Sequence, residues 1–289
     1  MKKMLVALII ASMAITFFPL SVFADQADVV TLGADLTQEQ QEQIFDWFDV
    51  RKEDVLVLEV TNEEERQYLE GIAPEEYIGT RAISSAYVKL LPRDAGIKVK
   101  TNNITWVTEQ IYANALITAG VENAAINITA PFNVSGTAAL TGVMKAFEKA
   151  TGKRISIEAK EAANEELFVA TDLGDDIGKE KSVELIQKIK REIVKDKIKN
   201  PDDIRKAIEL VAKELDITLT EDQIEQILAL MEKISRLELS IDQISEQLDK
   251  ISVGLDDLKK TVEENKGLIQ KVLDMINAFF SWLRQIFNS

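Results

Sequence analysis

Residues 55–64 read Val-Leu-Val-Leu-Glu-Val-Thr-Asn-Glu-Glu, and this stretch contains the change of pattern that defines the fold class. The apolar run at residues 55–60 predicts a buried strand. Thr61 and Glu64 have the spacing of a capping box, which predicts that a helix begins directly after the strand. A strand that passes into a capped helix is typical of domains in which helices pack on a sheet.

The same alternation extends in both directions from this stretch. Upstream, residues 29–32 predict a strand and residues 36–48 a helix, with Thr37 as its N-cap. Downstream, strands are predicted at 82–91, 97–101 and 124–130, and helices at 107–119 and 136–150. Pro131 is expected to end the last strand. Residues 29–60 and 97–130 share one pattern, so we expect two similar βαβ-type units with right-handed crossovers.

The second half of the chain has helical patterns only. Residues 153–219 predict amphipathic helices, one of which begins at Asn200-Pro201. With Ile227 at heptad position a, 17 of the 18 a and d positions from 227 to 286 are apolar, which predicts a long coiled-coil segment with breaks at Gly254 or at 265–267. The predicted class is α+β: a mixed α/β domain over residues 25–152, a helical region over 153–219, and amphipathic helices or a coiled coil over 220–289.

The first 24 residues have the pattern of a signal peptide. Lys2 and Lys3 precede an uncharged apolar run at residues 4–18, and Val22-Phe23-Ala24 places small residues where a signal peptidase reads. We therefore expect cleavage before Asp25 and a secreted or extracytoplasmic protein associated with the cell envelope.

Composition excludes several classes of chemistry. The chain has no Cys and no His, so disulfides, a lipid-modified Cys, and Ser-His-Asp or Cys-His catalysis are impossible. Its glycines form neither a dinucleotide-binding motif nor a P-loop. We expect no catalytic residues of a known motif, no metal and no cofactor. The net charge of −15, about −17 after signal-peptide removal, would repel nucleic acid, so we expect no nucleic-acid partner.

Two polar clusters are candidates for ligand binding. The first contains Thr80, Arg81, Ser84 and Ser85, where an Arg beside hydroxyls could hold a carboxylate or phosphate. The alternative is that Arg81 pairs with a nearby acid and the serines lie on a strand face. The second is the run Ser135-Gly136-Thr137, at a predicted helix N-terminus that could bind an anion or could simply be capped.

A third cluster is acidic. Asp172, Asp175 and Asp176 lie in a segment with two glycines and could hold calcium, although their spacing matches no standard calcium loop. We favour a helix cap and turn at this segment.

Three motifs resemble the YpuA-like family, a group of exported, functionally uncharacterised proteins of Gram-positive bacteria. The resemblance covers about residues 29–219 and follows the signal peptide. Its motifs are Val30-Thr31-Leu32-Gly33-Ala34-Asp35-Leu36, then Ile78-Gly79-Thr80-Arg81-Ala82-Ile83-Ser84-Ser85, then Thr129-Ala130-Pro131-Phe132 with Val134-Ser135-Gly136-Thr137-Ala138-Ala139-Leu140-Thr141-Gly142. The resemblance implies an envelope location and brings no catalytic residues with it.

Two hypotheses of function follow. The first is a non-enzymatic binding or interaction module on a helical stalk. The second is a hydrolase or transferase of envelope polymers that uses carboxylates alone, as glycosidases do. The stalk could self-associate through Ile227, Ile234, Ile241 and Leu248. The last helix could instead touch a membrane surface through Phe279, Phe280 and Trp282, or dock on the protein's own helices.

Overall fold

The computed structural model describes residues 28–73, 75–237 and 244–248, and its centre is a five-stranded mixed sheet. The strands are β1 (Val29–Gly33), β2 (Leu56–Val60), β3 (Ser85–Leu90), β4 (Ile97–Ile104) and β5 (Ala124–Val134). Their order across the sheet is β2-β1-β3-β5-β4. β1 pairs in parallel with β2, and β4 with β5, whereas β3 is antiparallel to both of its neighbours. The predicted mixed α/β architecture is confirmed.

Helices surround this sheet, and several begin where the sequence predicts. Thr37 and Thr61 each form a full capping box, and the Asn200 side chain accepts from the N–H groups of Asp202 and Asp203. Residues 244–248 are also helical. The helices of the described chain are α1 (Gln38–Phe48), α2 (Asn62–Leu69), α3 (Glu75–Ile78), α4 (Glu109–Thr118), α5 (Ala139–Thr151), α6 (Ile157–Ile177), α7 (Lys179–Asp196), α8 (Pro201–Glu214) and α9 (Glu221–Arg236).

The two faces of the sheet differ in how they are covered. On one face, Val29, Val88 and Ile126 pack with buried residues of α4 to α9 in a single core cluster, which crosses the predicted domain boundary at residues 152 and 153. We call this the covered face. On the other face, Val30 and Leu32 pack under α1 in a much smaller cluster. Among the described residues, α1 is the only helix on that face.

The positions of α1 and α4 test the prediction of two similar βαβ-type units. The structure has two parallel strand pairs joined by helices, β1-α1-β2 and β4-α4-β5. Both connections step one strand in the same direction across the sheet, but α1 and α4 lie on opposite faces. The two crossovers therefore have opposite hands, and only one can have the usual right-handed form. The predicted two-unit layout is not confirmed.

Two local predictions are wrong. Pro131 does not end a strand, because β5 continues to Val134 after a shift of register opposite Asn102 and Ile104. A bulge of this kind accommodates the missing proline N–H. The turn expected around Asp172 is absent, because α6 continues through the segment to Ile177, although Gly178 at the end of the segment does form the helix C-cap.

The start of the predicted heptad seam packs within the chain. Ile227, Ile234 and Leu248 are all buried. However, α9 ends at Arg236 and Leu237 is extended, so the helix stops before either predicted break. Ile241, Phe279, Phe280 and Trp282 lie outside the described residues, as do the predicted signal peptide and most of the predicted coiled coil. Within the described ranges, no helix is long and apolar enough to cross a membrane.

Candidate functional site at the carboxyl edge of the sheet

Both predicted polar clusters lie at the carboxyl edge of the parallel strands. β1 ends at Gly33 and β5 at Val134, while the antiparallel β3 begins there at Ser85. The Ser135 and Thr137 hydroxyls donate to the carbonyl oxygen of Tyr77, at 3.2 and 2.7 Å, and so join the second cluster to the chain that leads into the first. This edge is the usual place for ligands in α/β sheets.

Within the first cluster, the chain crosses tightly over the end of β1. The Arg81 guanidinium donates to the Asp35 carbonyl oxygen at 3.2 Å, and the Ala82 N–H donates to the Asp35 carboxylate at 2.7 Å. A Cβ on Gly33 would lie 2.3 Å from the Ala82 carbonyl oxygen, so only glycine permits this approach. Thr80 and Arg81 are exposed at the edge.

The two serines of this cluster lie inside the fold. Ser84 and Ser85 are 9% and 1% exposed, and the Ser85 hydroxyl oxygen accepts from the Gly33 N–H at 3.4 Å. Of the four predicted residues in the first cluster, Thr80 and Arg81 are therefore the two that a ligand could reach without rearrangement.

Packing explains Gly136 in the second cluster. Its φ is +96°, and a Cβ there would lie 2.4 Å from Ile104 Cγ2 and 2.5 Å from Tyr112 Oη. The buried Tyr112 hydroxyl donates to the Gly136 carbonyl oxygen. The helix predicted from residue 136 begins three residues later, at Ala139, and its N-cap Ala138 provides no side-chain hydrogen bond.

An aromatic cluster that sequence reasoning missed stands beside this edge. Tyr77 and Trp106 stack with ring centroids 4.0 Å apart at an interplanar angle of 13°. Phe168 meets both rings edge-on, at 6.4 and 5.9 Å. All three are half-buried. They come from α3, the β4–α4 loop and α6, so no local pattern in the sequence could have brought them together.

The acidic cluster lies on α6 next to these rings. The Trp106 indole N–H donates to Asp175 at 2.7 Å, and the Gln223 amide donates to Asp176 at 2.8 Å. Partial burial, and then the charges of Asp176 and Asp175, raise the pKa of Asp172. Within the described ranges, no group of three or more acidic side chains is arranged to hold a metal ion.

Glu65 is a buried acid that the sequence analysis did not single out. It is 1% exposed, and within the described ranges its carboxyl accepts one hydrogen bond, from the Asn62 amide at 3.4 Å. Burial raises the pKa of Glu65 to about 8, and the charges of Asp35 and Glu64 act in the same direction. The carboxyl is therefore protonated at neutral pH. Its position in the first turn of α2 resembles that of any acid at a helix start, so no local pattern indicates that it is buried.

A second buried polar group lies away from the edge, between α4, α6 and α7. Lys190 and Glu166 are both fully buried and 2.6 Å apart. The Lys190 ammonium also donates to Asn114 O at 2.9 Å and to Thr118 Oγ1 at 3.0 Å, and the Thr118 hydroxyl donates to Glu166. Burial lowers the pKa of Lys190, although the neighbouring carboxylate opposes that shift. Because this network is enclosed and its charged groups are bonded to each other, we assign it to helix packing.

Two open cavities lie away from the predicted residues. One of about 410 Å³ is at the opposite edge of the sheet, between Leu90, Glu122 and Phe147. A second cavity, of about 390 Å³, lies beside the last turn of α1, and its lining includes the acids Asp46 and Asp49. None of the seven predicted binding residues lines either cavity.

These features define an α/β protein with a five-stranded mixed sheet, one face under a helical layer, and a polar edge where two loop clusters meet. The chain belongs to the family described as protein of unknown function (DUF1002), whose model matches residues 32–251. The uncharacterised protein YpuA of Bacillus subtilis (strain 168) is 39% identical over 291 residues, which cover 99% of this chain and all of the relative. No solved structure matches the chain. The family resemblance found in the sequence is confirmed.

Proposed function

We propose that this is an exported cell-envelope protein that acts by binding rather than by catalysis, and that its ligand docks at the carboxyl edge of the sheet. The observation that carries the proposal is the convergence of the two polar clusters at that edge, with Thr80 and Arg81 exposed. Arg81 supplies a positive charge held close to Asp35 O, which suits an anionic group on the ligand.

The support for export is the charged start, the apolar run and the Val22-Phe23-Ala24 site. N-terminal sequencing of the protein recovered from an envelope fraction tests it. We expect a mature chain that begins at Asp25. Recovery of full-length protein from the cytosol alone would contradict export.

Binding at the edge is tested by co-sedimentation of the purified protein with isolated envelopes of a Gram-positive bacterium. Arg81→Ala should weaken sedimentation. Arg154→Ala, which removes an exposed positive charge elsewhere, is the matched control and should have little effect. Equal sedimentation of both variants and the unaltered protein would refute a role for the edge.

The second candidate, a carboxylate-dependent hydrolase or transferase, is favoured by one observation: Asp175, which bonds to Trp106, has a second carboxyl, that of Asp172, within electrostatic reach. However, both carboxylates project from α6 only three residues apart, and Asp175 is already bonded to the indole. Glycosidases place their two acids on either side of the scissile bond. We therefore favour binding. Release of sugars from isolated envelopes that is abolished by Asp172→Asn would reverse this preference.

We further propose that the heptad pattern continues as a coiled coil beyond residue 248. Because Ile227, Ile234 and Leu248 are buried within the chain, any self-association would use Ile241 and the later positions. Ile241→Asp should then reduce the particle mass measured by light scattering. An unchanged mass would remove the self-association proposal.

The last helix of the sequence pattern carries a separate proposal, which is contact with a membrane through Phe279, Phe280 and Trp282. Liposome flotation with and without residues 268–289 tests it.

A further inference from the structure

The strand register places three lysines on the face of the sheet opposite the covered face. Side chains alternate between the two faces of a strand, and Val88, Ile126 and Val99 pack on the covered side. Their neighbours in sequence therefore point the other way. Three rows cross β3, β5 and β4 on that side: Lys89–Ala125–Lys98, Tyr87–Asn127–Lys100 and Ser85–Thr129–Asn102. We call Lys89, Lys98, Lys100, Asn102 and Asn127 the lysine face.

The lysines of this face are open to solvent in the described part of the protein, whereas Ser85 and Thr129 of the third row are buried. Lys89, Lys98 and Lys100 are exposed. The buried side chains of α1 pack with Val30 and Leu32 of β1. They also pack with Tyr87 of β3 and with Ala130, near the end of β5. The Tyr87 ring, 5.9 Å from that of Phe48, marks the border between the α1 cluster and the open rows.

This face carries a local positive charge on an acidic protein. Between Gly79 and Thr108 the sequence has five basic residues and one acid, Asp94, in a chain whose net charge is −15. Lys89 lies 3.5 Å from Asp28. Lys98 and Lys100 make no ion pair with any residue in the described ranges. The five basic residues are Arg81, Lys89, Arg93, Lys98 and Lys100.

Protection of a sheet edge explains only part of this pattern. Exposed lysines on an edge strand discourage pairing with another chain, and β4 is an edge strand. Lys89, however, lies on β3, the central strand of five, where there is no edge to protect. A row of positive charge from the centre of the sheet to its edge needs a different explanation.

We propose that the lysine face binds a linear polymer of the cell envelope whose charges are phosphates, an inference that rests on the proposed role in envelope binding and names the chemistry of its partner. Lys98 and Lys100 are about 7 Å apart along their strand, and Lys89 is about 10 Å away across β5. A single small anion cannot span these distances, whereas successive groups of one polymer can. Lysine ammonium groups act as compact point charges, which suit phosphate.

A flat anionic membrane fits the face less well. Peripheral membrane binding depends on buried apolar area as well as on charge. The three rows expose no large apolar side chain, because Tyr87 is only 9% exposed. We therefore favour a polymer as the ligand, and the experiment includes anionic vesicles as an alternative ligand.

The experiment measures fluorescence anisotropy of labelled inorganic polyphosphate with the purified full chain at several NaCl concentrations. The double variant K98E/K100E is compared with K195E/K199E, which makes the same charge change at two exposed lysines elsewhere. We expect the Kd to rise at least tenfold for K98E/K100E and to change less than twofold for the control. With two to three phosphate contacts, log K should fall with log[salt] with a slope of about −2.

Three results would overturn the proposal. One is the absence of binding by the unaltered protein at low salt, and another is equal weakening by both double variants, which would show a net-charge effect. The third is lysine-dependent binding to phosphatidylglycerol vesicles without binding to polyphosphate. K98Q/K100Q guards against misfolding and should lose part of the affinity. If Arg81→Ala impairs envelope co-sedimentation while K98E/K100E binds polyphosphate normally, the lysine face fails and the proposed edge survives.

Discussion

The two faces of the sheet have opposite chemistry along β3, β5 and β4. On the covered face, Ala86, Val88, Ile126 and Ile128 are at most 1% exposed beneath the helical layer. On the other face, the intervening positions include Lys89, Asn127, Lys98 and Lys100. Because neighbours in sequence point to opposite faces, β3, β5 and β4 contribute to stability on the covered side and present their lysines to solvent on the other, whereas β1 is buried on both sides. The comparison predicts that substitutions on the two faces have separable effects.

The largest contrast should come from two lysines, one in the helical layer and one on the lysine face. Lys190→Met leaves the Glu166 carboxylate buried without its cation and should destabilise the fold by about 3–5 kcal/mol. Lys98→Met changes an exposed side chain and should shift the free energy of unfolding by less than about 0.5 kcal/mol. Urea unfolding of both variants checks this. Similar midpoints for the two would refute the division between the faces.

The buried Glu65 carboxyl predicts that the free energy of unfolding depends on pH. Its pKa is raised from 4.5 to about 8 in the folded protein, so the folded state keeps a proton that the unfolded chain releases. The stabilising contribution is complete below pH 4.5 and is lost as the pH rises through about 8. Glu65→Gln should therefore gain about 2–4 kcal/mol relative to the unaltered protein between pH 5 and pH 8.

The control for this prediction is Glu63→Gln, an exposed position on the same helix. It should leave the pH profile of urea unfolding unchanged. A profile of Glu65→Gln that runs parallel to that of the unaltered protein would show that Glu65 is ionised in the fold.

A smaller effect is expected at Gly136, where the second polar cluster packs against the helical layer. Gly136→Ala forces Ile104 and Tyr112 to move and should cost about 1–3 kcal/mol more than Gly71→Ala. Gly71 also has a positive φ, of 81°, but open space where a Cβ would lie, so it isolates the backbone contribution. Thermal unfolding gives both values. Equal Tm losses would mean that packing at Gly136 is unimportant.

Local patterns in the sequence were sufficient to predict several helices and strands and the residues at which they begin or end. Thr37 is the predicted N-cap and Thr61 forms the predicted capping box, and Gly152 ends α5 with φ of 69° as its position indicates. These features depend on residues within a few positions of one another. Their prediction therefore needed no knowledge of the tertiary fold.

The features that matter most for function depend on which strands are neighbours. Lys89 and Lys98 share a face only because both strands pair with β5, and the sequence does not reveal that order. The Tyr77–Trp106 stack likewise joins elements far apart in the chain. One signal was available: Lys190 lies four residues after Ile186 and three before Ile193, which places it on the buried face of α7.

Binding at the lysine face is tested most directly by lysine acetylation of the full chain, read by mass spectrometry with and without inorganic polyphosphate. We expect polyphosphate to protect Lys98 and Lys100 strongly and Lys89 in part, while Lys195 and Lys199 react equally in both samples. Lys190 should remain unmodified throughout, because it is fully buried. Uniform protection of all exposed lysines, or none at Lys98 and Lys100, would contradict the assignment of binding to the open face of the sheet.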